Sequence, residues 1–275
     1  MRVPSAGRWL VAASLALVSP LAAQERDDAA WQRHCERDND SDDGERFCEV
    51  RYTGFRPTGG SLTIEPDANG GVEVIGWDRD SVAVTLRVQA KGRSAEDARA
   101  LARDVEVTTS GSNVRVYGPS TGRREWWSAS LVLRVPRRTG ITAATVNGPL
   151  SASDLTGTID LRATNGPLSL SRLGGDVRAR VQNGPLSVEL SGAGWDGKGL
   201  DAESVNGPVD LGIPDGYNAE LETGTVNGPM STSIPLTVTF KGRMRDRIQT
   251  TLGKGGAPVR VVTTNGPISI HRASR

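Results

Sequence analysis

Asp160, Asp201 and Glu222 occupy one repeated position of this sequence, each five residues before the triplet Asn-Gly-Pro. Breaking a sugar chain needs carboxylates in pairs, one protonated and one ionised, facing a common bond. If successive copies stack at the sheet spacing of ~4.8 Å, Asp160 and Asp201 lie ~9.6 Å apart, at the wide limit of an inverting pair. Arg178 stands in the copy between them and holds both ionised, so neither is set to give up a proton. Other catalytic sets lack raw material. The chain has two histidines, His34 and His271, too few for multi-His metal sites. Gly253-Lys254-Gly255-Gly256 lacks the spacing of a phosphate-binding loop and reads as a turn. No catalytic residue, metal or cofactor is expected.

Residues suited to binding are easier to find. Trp126 and Trp127 are adjacent in a strand-like run, which points them to opposite faces. Trp195 lies in the glycine-rich insertion Gly192 to Gly199, where it is expected to project. Flat aromatic faces suit sugar rings or a protein partner, the alternative being that each Trp packs over an edge. Lys241, Arg243, Arg245, Arg247 and Lys254 make a local basic patch, diluted by Asp246 and read as a solvated edge. The whole chain has 33 Lys and Arg against 32 Asp and Glu; without Arg2 and Arg8 the balance is 31 against 32, or −1. That excludes a charge-driven nucleic-acid or anionic-membrane binder.

Arg2 and Arg8 precede an apolar run, Trp9 to Val18, followed by Ser19-Pro20-Leu21-Ala22-Ala23. This predicts a secretory signal over residues 1–23. The run is too short to cross a bilayer, which takes ~20 residues, and no later stretch approaches that length. The mature chain is expected to be soluble and exported, to the periplasm, the cell surface or the medium. Cys35 and Cys48 are the only cysteines, and an even count in an exported chain predicts a disulfide. Between them Asp38 to Glu45 is dense in carboxylates. A calcium loop with Gly44 at its turn would need a bidentate Glu where Val50 stands, so the segment reads as a solvated loop. Residues 24–56 form an acidic N-terminal segment.

A fixed repeat organises the rest. The triplets are Asn147-Gly148-Pro149, Asn165-Gly166-Pro167, Asn183-Gly184-Pro185, Asn206-Gly207-Pro208, Asn227-Gly228-Pro229 and Asn265-Gly266-Pro267. Their intervals are 18, 18, 23, 21 and 38, and the last predicts two periods with one faded copy. Asn69-Gly70-Gly71-Val72 looks like a degenerate copy, 78 residues or about four periods before Asn147. Six before each Asn stand Ile141, Ile159, Val177, Leu200, Leu221 and Val259; three after stand Leu150, Leu168, Leu186, Val209, Met230 and Ile268. Apolar residues alternate at period two on both sides of the triplet, which is a strand, a corner and a strand.

Such a pair cannot bury its face alone, whereas stacked copies share a core. The prediction is an all-β, parallel β-solenoid of 18–23-residue coils. A series of antiparallel hairpins is the alternative, since Asn-Gly is also a hairpin turn. Pro after each Asn-Gly removes a donor where a hairpin's returning strand would begin. In the corner Asn tolerates a left-handed backbone, Gly takes conformations closed to other residues, and Pro fixes φ. Stacked Asn side chains can also hydrogen-bond in a ladder. The outward row Asp160, Arg178, Asp201 alternates in sign, and another row reads Ser151, Ser169, Ser187, Asp210, Ser231 and Ser269.

Residues 60–145 share the alternating pattern without the triplet, interrupted by a helix over 94–103 with Ser94 as N-cap. Gly60-Ser61-Leu62-Thr63-Ile64, Gly71-Val72-Glu73-Val74-Ile75-Gly76-Trp77-Asp78 and Ile213-Pro214-Asp215-Gly216-Tyr217-Asn218-Ala219 appear in order before the glycine-rich turn at 253–256. With the repeated Asn-Gly corners, this order resembles a bacterial family of exported domains of unknown function labelled candidate adhesins, over residues 57–275. Pro after Asn-Gly departs from that family's usual small or polar residue. The resemblance implies a β-solenoid and an adhesive role, and brings no catalytic residues. The expected function is a non-enzymatic binding or adhesion module at the cell envelope, with an envelope polysaccharide or surface protein as partner. An envelope-polysaccharide lyase or hydrolase and a purely structural scaffold are the competing readings.

Overall fold

The computed structural model describes residues 20–37, 44–66, 69–235, 239–240 and 247–273. The first 19 residues of the expected signal, positions 38–43 of the acidic loop, and Lys241, Arg243 and Arg245 of the basic patch lie outside the described residues. The elements in chain order begin with α1 (Pro20–Arg37), β1 (Glu45–Phe55), β2 (Ser61–Glu65), β3 (Val72–Trp77), β4 (Val82–Gly92), α2 (Ala95–Arg103), β5 (Glu106–Ser110), β6 (Asn113–Tyr117) and β7 (Trp126–Pro136). There follow β8 (Gly140–Asn147), β9 (Leu150–Ser153), β10 (Thr156–Asn165), β11 (Leu168–Ser171), β12 (Gly174–Asn183), β13 (Leu186–Glu189), β14 (Gly199–Asn206) and β15 (Val209–Ile213). The last are β16 (Ala219–Asn227), β17 (Met230–Thr232), β18 (Thr239–Phe240), β19 (Ile248–Leu252), β20 (Pro258–Asn265) and β21 (Ile268–Arg272). The fold is mostly β, in two mixed sheets. One runs β1-β4-β7-β3-β9-β11-β13-β15-β21-β17, the other β18-β19-β16-β20-β14-β12-β10-β8-β2-β6-β5.

Each Asn-Gly-Pro unit gives one strand to each sheet. The triplet is the corner between them. Neighbouring units pair parallel and in register: Asn165 lies between Asn147 and Asn183, and Leu168 between Leu150 and Leu186. These pairings are parallel, so the hairpin alternative does not describe them. The inward columns meet between the sheets, where Ile159, Val177 and Leu200 are at most 3% exposed. A third inward column, two before each Asn, carries Ala163 and Val181 in two copies and hydroxyls in the other four, which donate to corner carbonyls, as Thr225 does to Gly266 at 2.8 Å and Ser204 to Gly184 at 3.1 Å.

The Asn residues act through their side chains. Each Nδ2 donates to the Oδ1 of the next Asn along the stack, from Asn227 through Asn265, Asn206, Asn183, Asn165 and Asn147 to Asn69, at 2.8–3.1 Å. The expected left-handed Asn backbone is absent: the described non-glycine residues with positive φ are Arg124, Asp154 and Arg172. Glycine is required for closeness instead. At Gly166, φ is +149° and a Cβ would run into the carbonyl oxygen of Gly148 in the neighbouring corner.

Two expectations about order are corrected. The 38-residue interval does not hold a faded copy among its described residues. It holds β18 and β19, which add antiparallel outside β16, with Leu252 opposite Ala219. The turn at 253–256 then carries the chain across the end of β16, and β20 enters between β14 and β16. Charge explains the insertion. In chain order Asp201 would face Glu222; with β20 between them the row reads Asp160, Arg178, Asp201, Arg260, Glu222 and alternates throughout.

The second correction concerns Asn69. Its unit sits directly against that of Asn147, with an Asn69–Asn147 bridge. The chain between them does not hold three triplet-less periods: β6 and β7 pair parallel with β2 and β3 and add one further layer beyond the Asn69 unit, while β4, β5 and α2 cap it. The α2 cap matches expectation: Ser94 Oγ accepts from Asp97 N at 3.1 Å, and Ala98 and Ala102 are buried. Arg51 from β1 closes its other end, donating to the carbonyls of Ala102 and Val105.

The described residues of the acidic segment 24–56 supply β1 and all of α1 except its first four residues, and β1 runs antiparallel to β4 over its whole length. The Cys35–Cys48 disulfide joins them across a Cα separation of 6.3 Å. Buried Asp28 of α1 accepts from Arg87 at 2.8 Å and from Tyr52 at 3.1 Å, while Gln24 Oε1 accepts from Arg134 at 2.6 Å. No described helix is long and apolar enough to cross a membrane.

Candidate functional site

The parallel register brings the charged row of the second sheet onto its outer face, where a groove of about 530 Å³ opens between β12, β14, β20, β16 and β19. Arg178, Asp201, Arg260, Glu222, Gln249 and Lys198 are among its lining residues. Asp201 is the centre. Its carboxylate takes a hydrogen bond from Arg180 and another from Arg260 at 2.7 Å. Arg260 also reaches Glu203 at 3.2 Å and Glu222 at 3.4 Å. Glu222 is further held by Arg247 at 3.0 Å and Gln249 at 3.2 Å. Asp160 is paired with Arg162 of its own strand at 2.9 Å.

These contacts decide what the row can do. Burial pushes the Asp201 carboxyl up, but the hydrogen bonds from Arg180 and Arg260 outweigh it and hold the group below the usual carboxylate range. A general acid needs the opposite shift. Asp201 is thus a fixed anion, and the row offers alternating acceptors and donors on neighbouring strands. At the other end of the units a second stack repeats the device. Arg172 grips Asp154 with two bonds at 2.7 and 2.9 Å, and Arg137 joins Asp154 to Asp78. The bonds from Arg172 hold Asp154 low against the upward push of burial, with Arg137 adding to them.

A pH dependence follows from these two depressed carboxyls. The folded state releases protons that the unfolded chain still binds, so the stabilisation is complete above the ordinary carboxylate range and is lost as pH falls through the lower folded values. Urea midpoints are expected to be level from about pH 7 to 5 and to drop below about pH 4. The double variant Asp154→Asn, Asp201→Asn should flatten part of that drop. An unchanged acid slope in the variant would contradict the assignment.

The first sheet's outer face carries the hydroxyl row, in spatial order Ser151, Ser169, Ser187, Asp210, Ser269, Ser231. The three tryptophans do not share a surface. Trp126 is 37% exposed, with the Arg46 guanidinium 5.8 Å from its ring centre and Lys91 as its cross-strand neighbour. Trp127 is 8% exposed in the core, donating Nε1–H to the Pro119 carbonyl at 2.8 Å. Trp195 does not project: it packs half-buried against the core and donates to the Gly175 carbonyl at 3.0 Å. Arg247 pairs with Glu222 at the groove, and Lys254 sits in the turn at 253–256, where its N–H donates to Asn218 Oδ1 at 2.8 Å. Sequence reasoning missed Gln249 and read Arg247 only as part of a solvated basic edge; both reach the row because β19 folds back along β16.

No family model matches the chain, and no curated protein matches it in sequence. Solved structures similar in shape include a candidate cell adhesion protein from Clostridium sporogenes, with a TM-score of 0.37 and 9% identity, covering 82% of this chain and all of the other. A candidate adhesin from Bacteroides fragilis gives 0.32 at 12% identity, covering 82% of this chain and 97% of the other. A candidate lipid-binding protein from Parabacteroides distasonis gives 0.29 at 10%, with the same coverage. At these scores none of them carries a function over to this chain.

Proposed function

We propose that the chain is an exported, non-enzymatic β-solenoid module of the bacterial cell envelope that binds an extended polar molecule, foremost an envelope polysaccharide. Residues 1–23 then serve as signal peptide, 24–56 as the disulfide-tied N-terminal segment, and 57–275 as the solenoid. The observation that carries the reading is the arginine-held row Asp160, Asp201, Glu222. A polysaccharide presents hydroxyls in line, and a row of alternating donors and acceptors can meet them one after another, each neutral-to-charged hydrogen bond contributing about 1.5–3 kcal/mol net. The same pairing holds the Asp201 carboxyl low, against the upward shift that a general acid would need. Trp126 offers a second contact, a ring face for a sugar or a protein surface; Trp127 and Trp195 brace the ends of the units.

The test is sedimentation of the mature protein with isolated envelope polysaccharide, alongside assay of reducing ends and unsaturated products. Saturable binding without product is expected, with at least a tenfold loss in the variant Lys198→Glu, Arg178→Glu and little change in a scan of the opposite face. Product that disappears in Asp160→Asn, Asp201→Asn, Glu222→Gln would overturn the reading in favour of an enzyme.

A further inference from the structure

Glu189, Asp210 and His271 converge on the outer face of the first sheet, away from the groove. Parallel register sets Glu189 of β13, Gly212 of β15 and His271 of β21 in one row. Glu189 and His271 are two strands apart, ~9.6 Å at the sheet spacing. They meet because the residue between them has no side chain: a Cβ on Gly212 would strike Glu189 Oε2. His271 Nε2 lies 3.1 Å from Glu189 Oε1, and Nδ1 lies 3.1 Å from Asp210 Oδ1. One ligand atom from each residue falls within 4.8 Å of the others. Two ligands of one zinc-sized ion stand at most about 4.4 Å apart, from bond lengths of about 2.0–2.2 Å, so small side-chain rotations close the set.

Two observations ask for a cation here. Glu189 Oε2 is shut off from solvent and has no hydrogen-bond partner, which is costly for a carboxylate oxygen. Both ring nitrogens of His271 face carboxylate oxygens: an imidazolium donates to both, whereas a neutral ring, with one N–H, leaves one nitrogen and one carboxylate oxygen for a metal ion. The nearby arginines are engaged elsewhere: Arg172 grips Asp154, and Arg272 pairs with Asp215 at 2.9 Å.

We propose that Glu189, Asp210 and His271 form a binding site for a divalent transition-metal ion of the zinc class. One imidazole nitrogen and two carboxylates suit zinc or manganese, and the oxygens are too few for calcium. Asp210 is half exposed, so the remaining coordination position faces solvent. This site is independent of the polysaccharide reading.

The experiment is calorimetric titration of zinc chloride into the full mature chain, with the two histidine rings followed by NMR. The result expected is one saturable site, weakened at least tenfold in His271→Ala and in Glu189→Gln, with the His271 ring resonances shifting and those of His34 unmoved. Absence of saturable binding in the parent, or His271→Ala binding as tightly as the parent, overturns the proposal. Circular dichroism checks the fold of each variant, and His271→Gln replaces the alanine variant should that one be unfolded.

Discussion

Replacing Gly166 with alanine is expected to destabilise the protein by about 4 kcal/mol, a residue-sized change with an effect normally seen for large core deletions. Two costs add. A φ of +149° is a region that side chains rarely adopt, worth about 1–3 kcal/mol of strain. The new methyl would also press on the Gly148 carbonyl of the adjacent corner, and forcing backbone apart in a packed stack costs about 1–3 kcal/mol more. For a chain of this size the midpoint of thermal unfolding should fall by about 10 °C. Gly60→Ala is the control, because its Cβ would meet nothing and its φ is unremarkable. It should change stability by less than about 0.5 kcal/mol. Equal effects at the two glycines would show that the corners are not stacked at this spacing.

Arg260→Glu should cost about 2–3 kcal/mol and loosen the inserted unit of β20 and β21. Arg260 is one-quarter exposed and lies among Asp201, Glu203 and Glu222. Removing the partner of part-buried carboxylates is far more damaging than breaking a surface pair, and a fourth carboxylate adds repulsion. Arg260→Met separates the two contributions, since it deletes the pairing without adding charge; it should cost about 1 kcal/mol less than the reversal. Urea unfolding of the three proteins measures both numbers. Identical stability of Arg260→Glu and the parent would mean that β20 does not lie between Asp201 and Glu222.

Much of this architecture can be read from the sequence because a parallel stack writes itself as columns. Ile159, Val177 and Leu200 had to share a face, and the Asn side chains had to meet, once the copies were aligned. Asn69 shows that it is a corner through Gly70 and Val72, but not that its unit lies against that of Asn147. What the columns do not carry is the order of the units along the stack. Chain order puts Glu222 next to Asp201, and only the clash of sign in that row hints that Arg260 belongs between them. The folding-back of β19 is equally silent, since Ile248–Leu252 carries no triplet. The groove was therefore half legible: Asp201 and Glu222 stand out by position, while Gln249, and Arg247 paired with Glu222, arrive by topology. His271 was hidden for the same reason, because its neighbours Asp210 and Glu189 are set by the insertion of β21. Trp195 misleads through composition: a glycine-rich insertion suggests projection, yet its indole finds the Gly175 carbonyl and an apolar seat.

The order of units is best tested by paired cysteines in the second sheet's outer row. Asp201→Cys with Arg260→Cys places the two on adjacent strands, ~4.8 Å apart and within disulfide reach; Asp201→Cys with Glu222→Cys places them two strands apart, ~9.6 Å and beyond it. With the Cys35–Cys48 bond as internal reference, mass spectrometry after mild oxidation should find the 201–260 crosslink at high yield and almost none between 201 and 222. A dominant 201–222 crosslink would mean that the units stack in chain order, and the alternating row, the groove and the meeting of Glu189 with His271 would all go with it.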